Sequence, residues 1–117
     1  MSRRDRVWRA GERAAWEAYR RRGYRLVARN WRCALGELDL VVEIDGVVVF
    51  CEVKARASSL MGEPYEAVNH EKRRKVRAVA EAFLIARDSP ARYRFDVASV
   101  RLSSDGNADV WVFEDAF

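Results

Sequence analysis

Along residues 7–22, Trp8, Ala15, Trp16 and Tyr19 recur at three- and four-residue spacing, while Arg13, Glu17, Arg20 and Arg21 fall on the other side. That period predicts an amphipathic helix, which Gly23 is placed to end. Residues 24–31 read as a strand. From Leu35 to Ile44, apolar Leu38, Leu40, Val42 and Ile44 alternate with Glu37, Asp39, Val41 and Glu43, the pattern of a half-buried strand. Asp45-Gly46 is a two-residue hairpin turn, and Val47 to Lys54 is strongly β-forming. A polar stretch from Ala57 to Pro64 predicts a loop. A second helix follows over residues 65–87, with Val68, Val76, Val79, Ala80 and Phe83 as its apolar stripe and Ser89-Pro90 as its stop. Tyr93 to Leu102 and Val110 to Phe113 are strands on either side of a turn at 103–107. The order α-β-β-β-α-β-β predicts an α/β fold, a mixed sheet with helices packed on it.

Length and composition narrow the class. At 117 residues the chain is expected to form a single domain, residues 1–117, able to bury a core without disulfides. Half its residues are hydrophobic, too many for a disordered chain. Neither a signal-peptide pattern nor an apolar run of roughly 18–20 residues is present, so no membrane association and a cytoplasmic location are expected. Cys33 and Cys51 lack zinc-site spacing and read as reduced thiols. His70 is the sole histidine and lies in a polar Asn-His-Glu-Lys stretch, which argues against a His-dependent nucleophile.

The net charge of +4 names no partner, but its distribution is uneven. Residues 1–32 hold 11 basic and 3 acidic side chains, residues 33–70 hold 2 and 7, and residues 71–101 hold 9 and 4. An acidic centre between basic flanks suits a cation site within a surface that meets polyanions; Arg-rich solvated helix faces give the same arithmetic.

The hairpin fixes a register. With Asp45-Gly46 as a two-residue turn, Ile44 faces Val47, and continuing the pairing sets Asp39 opposite Glu52 and Glu37 opposite Lys54. Opposed carboxylates about 5 Å apart at Cβ destabilise a sheet unless a proton or cation sits between them. Oxygen-only ligands favour Mg²⁺ or Mn²⁺ over zinc. Lys54 shares a strand face with Glu52 and would reach a ligand held there. The alternative is an ordinary solvated hairpin face with a Glu37–Lys54 ion pair, and a bulge near Gly36 would shift the register.

Two charges stand on apolar stripes. Glu12 is four residues from both Trp8 and Trp16, and Lys72 is four from both Val68 and Val76. Each is costly if buried unpaired, or snorkels out from a helix end. Arg20, Arg21 and Arg22, and Arg73, Arg74, Lys75 and Arg77, are candidate phosphate contacts or solvated faces.

Glu12-x-x-Ala15 with Gly23-Tyr24, Gly36-Glu37-Leu38-Asp39-Leu40-Val41, Val49-Phe50-Cys51-Glu52-Val53-Lys54-x-Arg56 and the ending Asp115-Ala116-Phe117 together resemble the bacterial YraN family. That family has a restriction-endonuclease-like fold and is similar to archaeal Holliday junction resolvases. Asp39 with Glu52-x-Lys54 matches the PD-(D/E)xK nuclease motif, with Leu38 in place of its proline. The resemblance implies a divalent ion, Mg²⁺ or Mn²⁺, held by Asp39 and Glu52, with Glu12 as a further carboxylate ligand. It places Lys54 beside the attacked phosphate and Lys72 as a helper side chain; Glu37 would support Lys54 from the opposite strand, and Arg56, Arg73, Arg74 and Lys75 are candidate nucleic-acid contacts. Nucleases of this kind often work as dimers, so a homodimer is compatible with the resemblance.

Three functions follow in order of preference: a metal-dependent endonuclease for branched or structured DNA, a nucleic-acid-binding protein of the same fold with little or no catalysis, and a scaffold that touches no nucleic acid.

Overall fold

The computed structural model describes residues 1–57, 69–88 and 92–117. Helix α1 spans Arg3–Arg21, longer at its start than the apolar period predicts. Ser2 caps it, accepting from the Asp5 N–H while the Asp5 carboxylate accepts from the Ser2 N–H. This reciprocal box satisfies donors that the first turn otherwise leaves open. Five strands follow the expected order: β1 (Arg25–Cys33), β2 (Gly36–Ile44), β3 (Val47–Ala57), β4 (Arg92–Leu102) and β5 (Ala108–Phe113), with α2 (His70–Arg87) between β3 and β4. The sheet order is β1-β2-β3-β4-β5, antiparallel except for the parallel pair β3 and β4. A parallel pair needs a crossover, and α2 lies on it. This is the α/β architecture expected of a restriction-endonuclease-like core.

Helix α2 begins later than predicted. Asn69 is extended and caps it, its side-chain oxygen accepting from the Lys72 N–H, so His70 is the first helical residue rather than residue 65. The predicted loop beyond Ala57, Val68 and the Ser89-Pro90 stop lie outside the described residues.

The helices cover opposite faces of the sheet. Ala15 and Tyr19 of α1 pack with Leu40, Val42, Val49, Cys51, Val53, Ala98 and Val100. Val76, Val79, Ala80 and Phe83 of α2 pack with Leu38, Val41, Val48, Phe50 and Phe95. Strand β2 is therefore buried on both faces, not on one as its alternation suggests. Leu38 and Leu40 also belong to opposite faces, which an unbroken period of two does not allow, so the pleat changes phase at Asp39. Gly11 permits the close seating of α1: a Cβ there would come within 2.4 Å of the Ala55 Cβ.

Candidate active site

The Asp45-Gly46 hairpin forms as predicted, with Ile44 opposite Val47 and pairing in that register as far as Leu40 and Cys51. There the ladder ends. One residue further, the Asp39 carboxylate accepts the Val53 N–H at 2.9 Å, so a side chain takes over where the backbone pairing stops. Asp39 is thereby pinned against β3 beside Glu52. Glu37 lies beyond the ladder too, and its carboxylate meets Arg32 of β1 at 2.9 Å, the neighbour that the Cys33–Gly36 pairing sets across from it. The sequence expectation of a Glu37–Lys54 ladder pair ignored β1, which occupies the other edge of β2.

On β3, Val53 and Ala55 face α1, which puts Glu52 and Lys54 on the α2 face. Glu52 is buried, 4% exposed, and Lys72 of α2 reaches its carboxylate at 3.6 Å. Lys54 and Arg56 are half-buried. Asp39, Glu52, Lys72 and Lys75 line one cleft of about 390 Å³, together with Leu35 and Gly36. Burial and mutual repulsion act on the acids there. Burial, and then the Asp39 charge, push the Glu52 carboxyl up to about 7 against the opposing pull of Lys72. Burial also raises Asp39, opposed by its Val53 hydrogen bond and by Lys72.

Glu12 approaches from α1. It is 7% exposed, and burial raises it to about 7, with Asp39 pushing the same way. Its Oε1 accepts from Asn30 Nδ2 at 3.3 Å, whereas Glu12 Oε2 and Asn30 Oδ1 are both buried without a partner among the described residues. A proton on Oε2 would make a donor of one of these two unsatisfied acceptors. Asn30 sits at φ +49° between Arg29, opposite Leu40, and Trp31, opposite Leu38, which sets it beside Asp39. Nothing in the chain's periodicity marks it; the signal is the residue type, since Asn tolerates positive φ.

The donor set suits a hard cation: carboxylate oxygens only, held close, with their charges in conflict. Among the described residues no group of three or more His, Cys, Asp or Glu side chains is close enough to hold a metal. The structure thus brings Asp39 and Glu52 together and does not bring Glu12 into the same ligand group.

The basic residues divide. The Arg20 guanidinium is bound to Glu17 at 2.8 Å and that of Arg22 lies 4.0 Å from Glu114, so neither is turned to the cleft. The Arg73 and Arg77 guanidiniums lie over the Phe117 ring, at 5.8 and 5.6 Å. Arg74 and Lys75 are exposed. Lys72 and Arg73 stand in the first turn of α2, where the helix dipole disfavours cations, so their place there does not serve helix stability.

The description "Uncharacterised protein family UPF0102" belongs to the family whose pattern matches residues 11–100. The chain belongs to this family. It is 42% identical to a UPF0102 protein of Symbiobacterium thermophilum over 118 aligned positions, covering all of this chain and 98% of the relative. It is 42% identical to one of Roseiflexus castenholzii (84% of this chain, 81% of the relative) and 44% identical to one of Myxococcus xanthus (78% and 73%). The matched region of the family takes in Glu12, Asp39, Glu52, Lys54 and Lys72. Among the described residues, no helix is long and apolar enough to cross a membrane.

Proposed function

We propose that the protein is a metal-dependent endonuclease that hydrolyses phosphodiester bonds in branched or structured DNA. The observation that carries this reading is the pairing of half-buried Asp39 with buried Glu52 in a cleft that Glu37 and Glu71 also line and where Lys72 and Lys75 supply the positive charge. Asp39 and Glu52 would hold the divalent cation, and when bound it supplies polarisation of the phosphoryl oxygen and activation of water. The chain's own residues do the rest. The Val53 N–H fixes the Asp39 carboxylate. Lys54, on the face of Glu52, would stabilise charge developing on the phosphate. Lys72, 3.6 Å from Glu52 and on the same cleft, would offset part of its charge and stand within reach of a phosphate oxygen. Arg56, Arg74 and Lys75 would contact the flanking backbone without reading sequence.

The test is cleavage of linear, flapped and four-way DNAs in Mg²⁺ or Mn²⁺. Cutting is expected from the wild type and is expected to fall about 10²–10³-fold in Asp39→Asn and Lys54→Ala, the scale of losing one transition-state contact. Asparagine keeps an oxygen for the Val53 N–H, so Asp39→Asn removes charge and not the fold. No cutting of any substrate by the wild type ends the enzyme reading.

A second reading, nucleic-acid binding without catalysis, draws on Glu12, which is tied to Asn30 and outside the Asp39–Glu52 group. It predicts salt-sensitive binding that ignores both metal and Asp39→Asn.

A further inference from the structure

We propose that Leu35 is an apolar wedge that enters the base stack of a nucleic acid whose phosphate occupies the Asp39–Glu52 cleft; this rests on the nucleic-acid reading above. Cys33 pairs with Gly36, which leaves Ala34-Leu35 as the two-residue tip of the β1–β2 hairpin. Tips of that length favour Asn, Asp and Gly. Leu35 instead presents an aliphatic side chain that is 60% exposed and belongs to neither apolar cluster of the fold.

The tip is held in place. Gly36 has φ +145°, and a Cβ there would come within 3.2 Å of Val79 Cγ2 of α2, so the hairpin end is seated against the helix that carries Lys72 and Lys75. Leu35 lines the same cleft as Glu52 and those two lysines. An exposed apolar group beside two lysines and the acids Glu37, Asp39, Glu52 and Glu71, which a divalent cation would offset, suits a ligand that offers phosphate and base faces together. Proteins that distort duplexes insert Leu, among other apolar side chains, between base steps. At a branch or end the stack is already broken, so less unstacking is required there.

The test uses the full chain in Ca²⁺ without Mg²⁺ or Mn²⁺, with a four-way DNA carrying 2-aminopurine beside the branch and a linear duplex of the same sequence. Wild-type protein is expected to raise the fluorescence at the branch. Leu35→Ser is expected to lose most of that rise and about tenfold in affinity for the branched DNA, to bind the linear duplex within about twofold of wild type, and to keep its thermal midpoint. Leu35→Met is expected to restore the signal. An undiminished rise in Leu35→Ser overturns the wedge, as does an equal loss of affinity for both DNAs. A changed oligomeric state with unchanged fluorescence also overturns it, by assigning Leu35 to contact with a second copy of the chain. Binding without any rise in the wild type removes the wedge and leaves the nucleic-acid reading standing; no binding at all removes both.

Discussion

Two sets of acids lie on opposite faces of the same sheet, Asp96 on one and Asp39 with Glu52 on the other, and they are treated in opposite ways. On the α1 face, Asp96 of β4 is fully buried and well supplied with donors. It accepts from the Tyr19 hydroxyl at 2.7 Å, from Arg94 Nε at 3.0 Å and from the Asp115 N–H at 3.0 Å. Arg94 also donates to the Tyr24 hydroxyl, and the Ala116 N–H reaches the Phe95 carbonyl, so this network fastens the last residues of the chain to the sheet. On the α2 face, Asp39 accepts the Val53 N–H, and Glu52 has the Asp39 backbone N–H and one lysine at 3.6 Å. A buried acid with its hydrogen bonds filled is part of the fold. One held against the charge of a neighbouring acid costs stability by itself, and its retention makes sense when a ligand completes it.

Substitution gives the largest separation between the two sets. Asp96→Ala strands Arg94 and the Tyr19 hydroxyl, and is expected to cost about 3–5 kcal/mol in urea unfolding. Glu52→Gln relieves repulsion with Asp39 and is expected to be neutral or stabilising. Equal losses in the two variants would erase the distinction.

A smaller effect comes from pH. Glu52 is raised to about 7 from an ordinary value near 4.5, so between those values the folded protein holds a proton that the unfolded chain has released. Stability of the metal-free protein then falls as pH rises through that window, by about 1–3 kcal/mol at most from this group. Glu12 acts in the same sense. Unfolding at pH 5.5 and 7.5 is expected to show the drop, and Glu52→Gln to flatten it. Asp96→Asn should leave this slope in place, and a slope that persists in Glu52→Gln would place its origin elsewhere.

The smallest effects belong to the rim. Arg74→Ala and Lys75→Ala are each expected to reduce the salt slope of DNA binding by about 0.9 if each meets one phosphate. Their stability should change by less than about 1 kcal/mol, since both side chains are exposed.

What was legible in the sequence follows the same division. The Asp45-Gly46 turn fixed the β2–β3 register as far as Leu40 and Cys51, because local turn chemistry sets pairing, and so pointed to Asp39 near Glu52 although the ladder stops one residue short of pairing them. Lys72 was legible as a charge out of place on an apolar stripe. The partners that come from distant elements were not. Arg32 meets Glu37 and Asn30 meets Glu12 only once β1 lies beside β2, and its turn at Ala34-Leu35 carries none of the usual turn residues. Asp96 looked like one more polar residue in a strand, since its donors come from α1, β4 and the end of the chain. Burial of β2 on both faces was hidden because Glu37 and Asp39 at its start imitate an alternating pattern.

The central claim is that Asp39 and Glu52 hold a divalent cation. Crystals of the wild-type protein soaked in Mn²⁺ and measured at the manganese absorption edge test it most directly. An anomalous peak between the two carboxylates, lost in Asp39→Asn, is the expected result. A cation seated elsewhere, or no peak with both carboxylates well ordered, would contradict it.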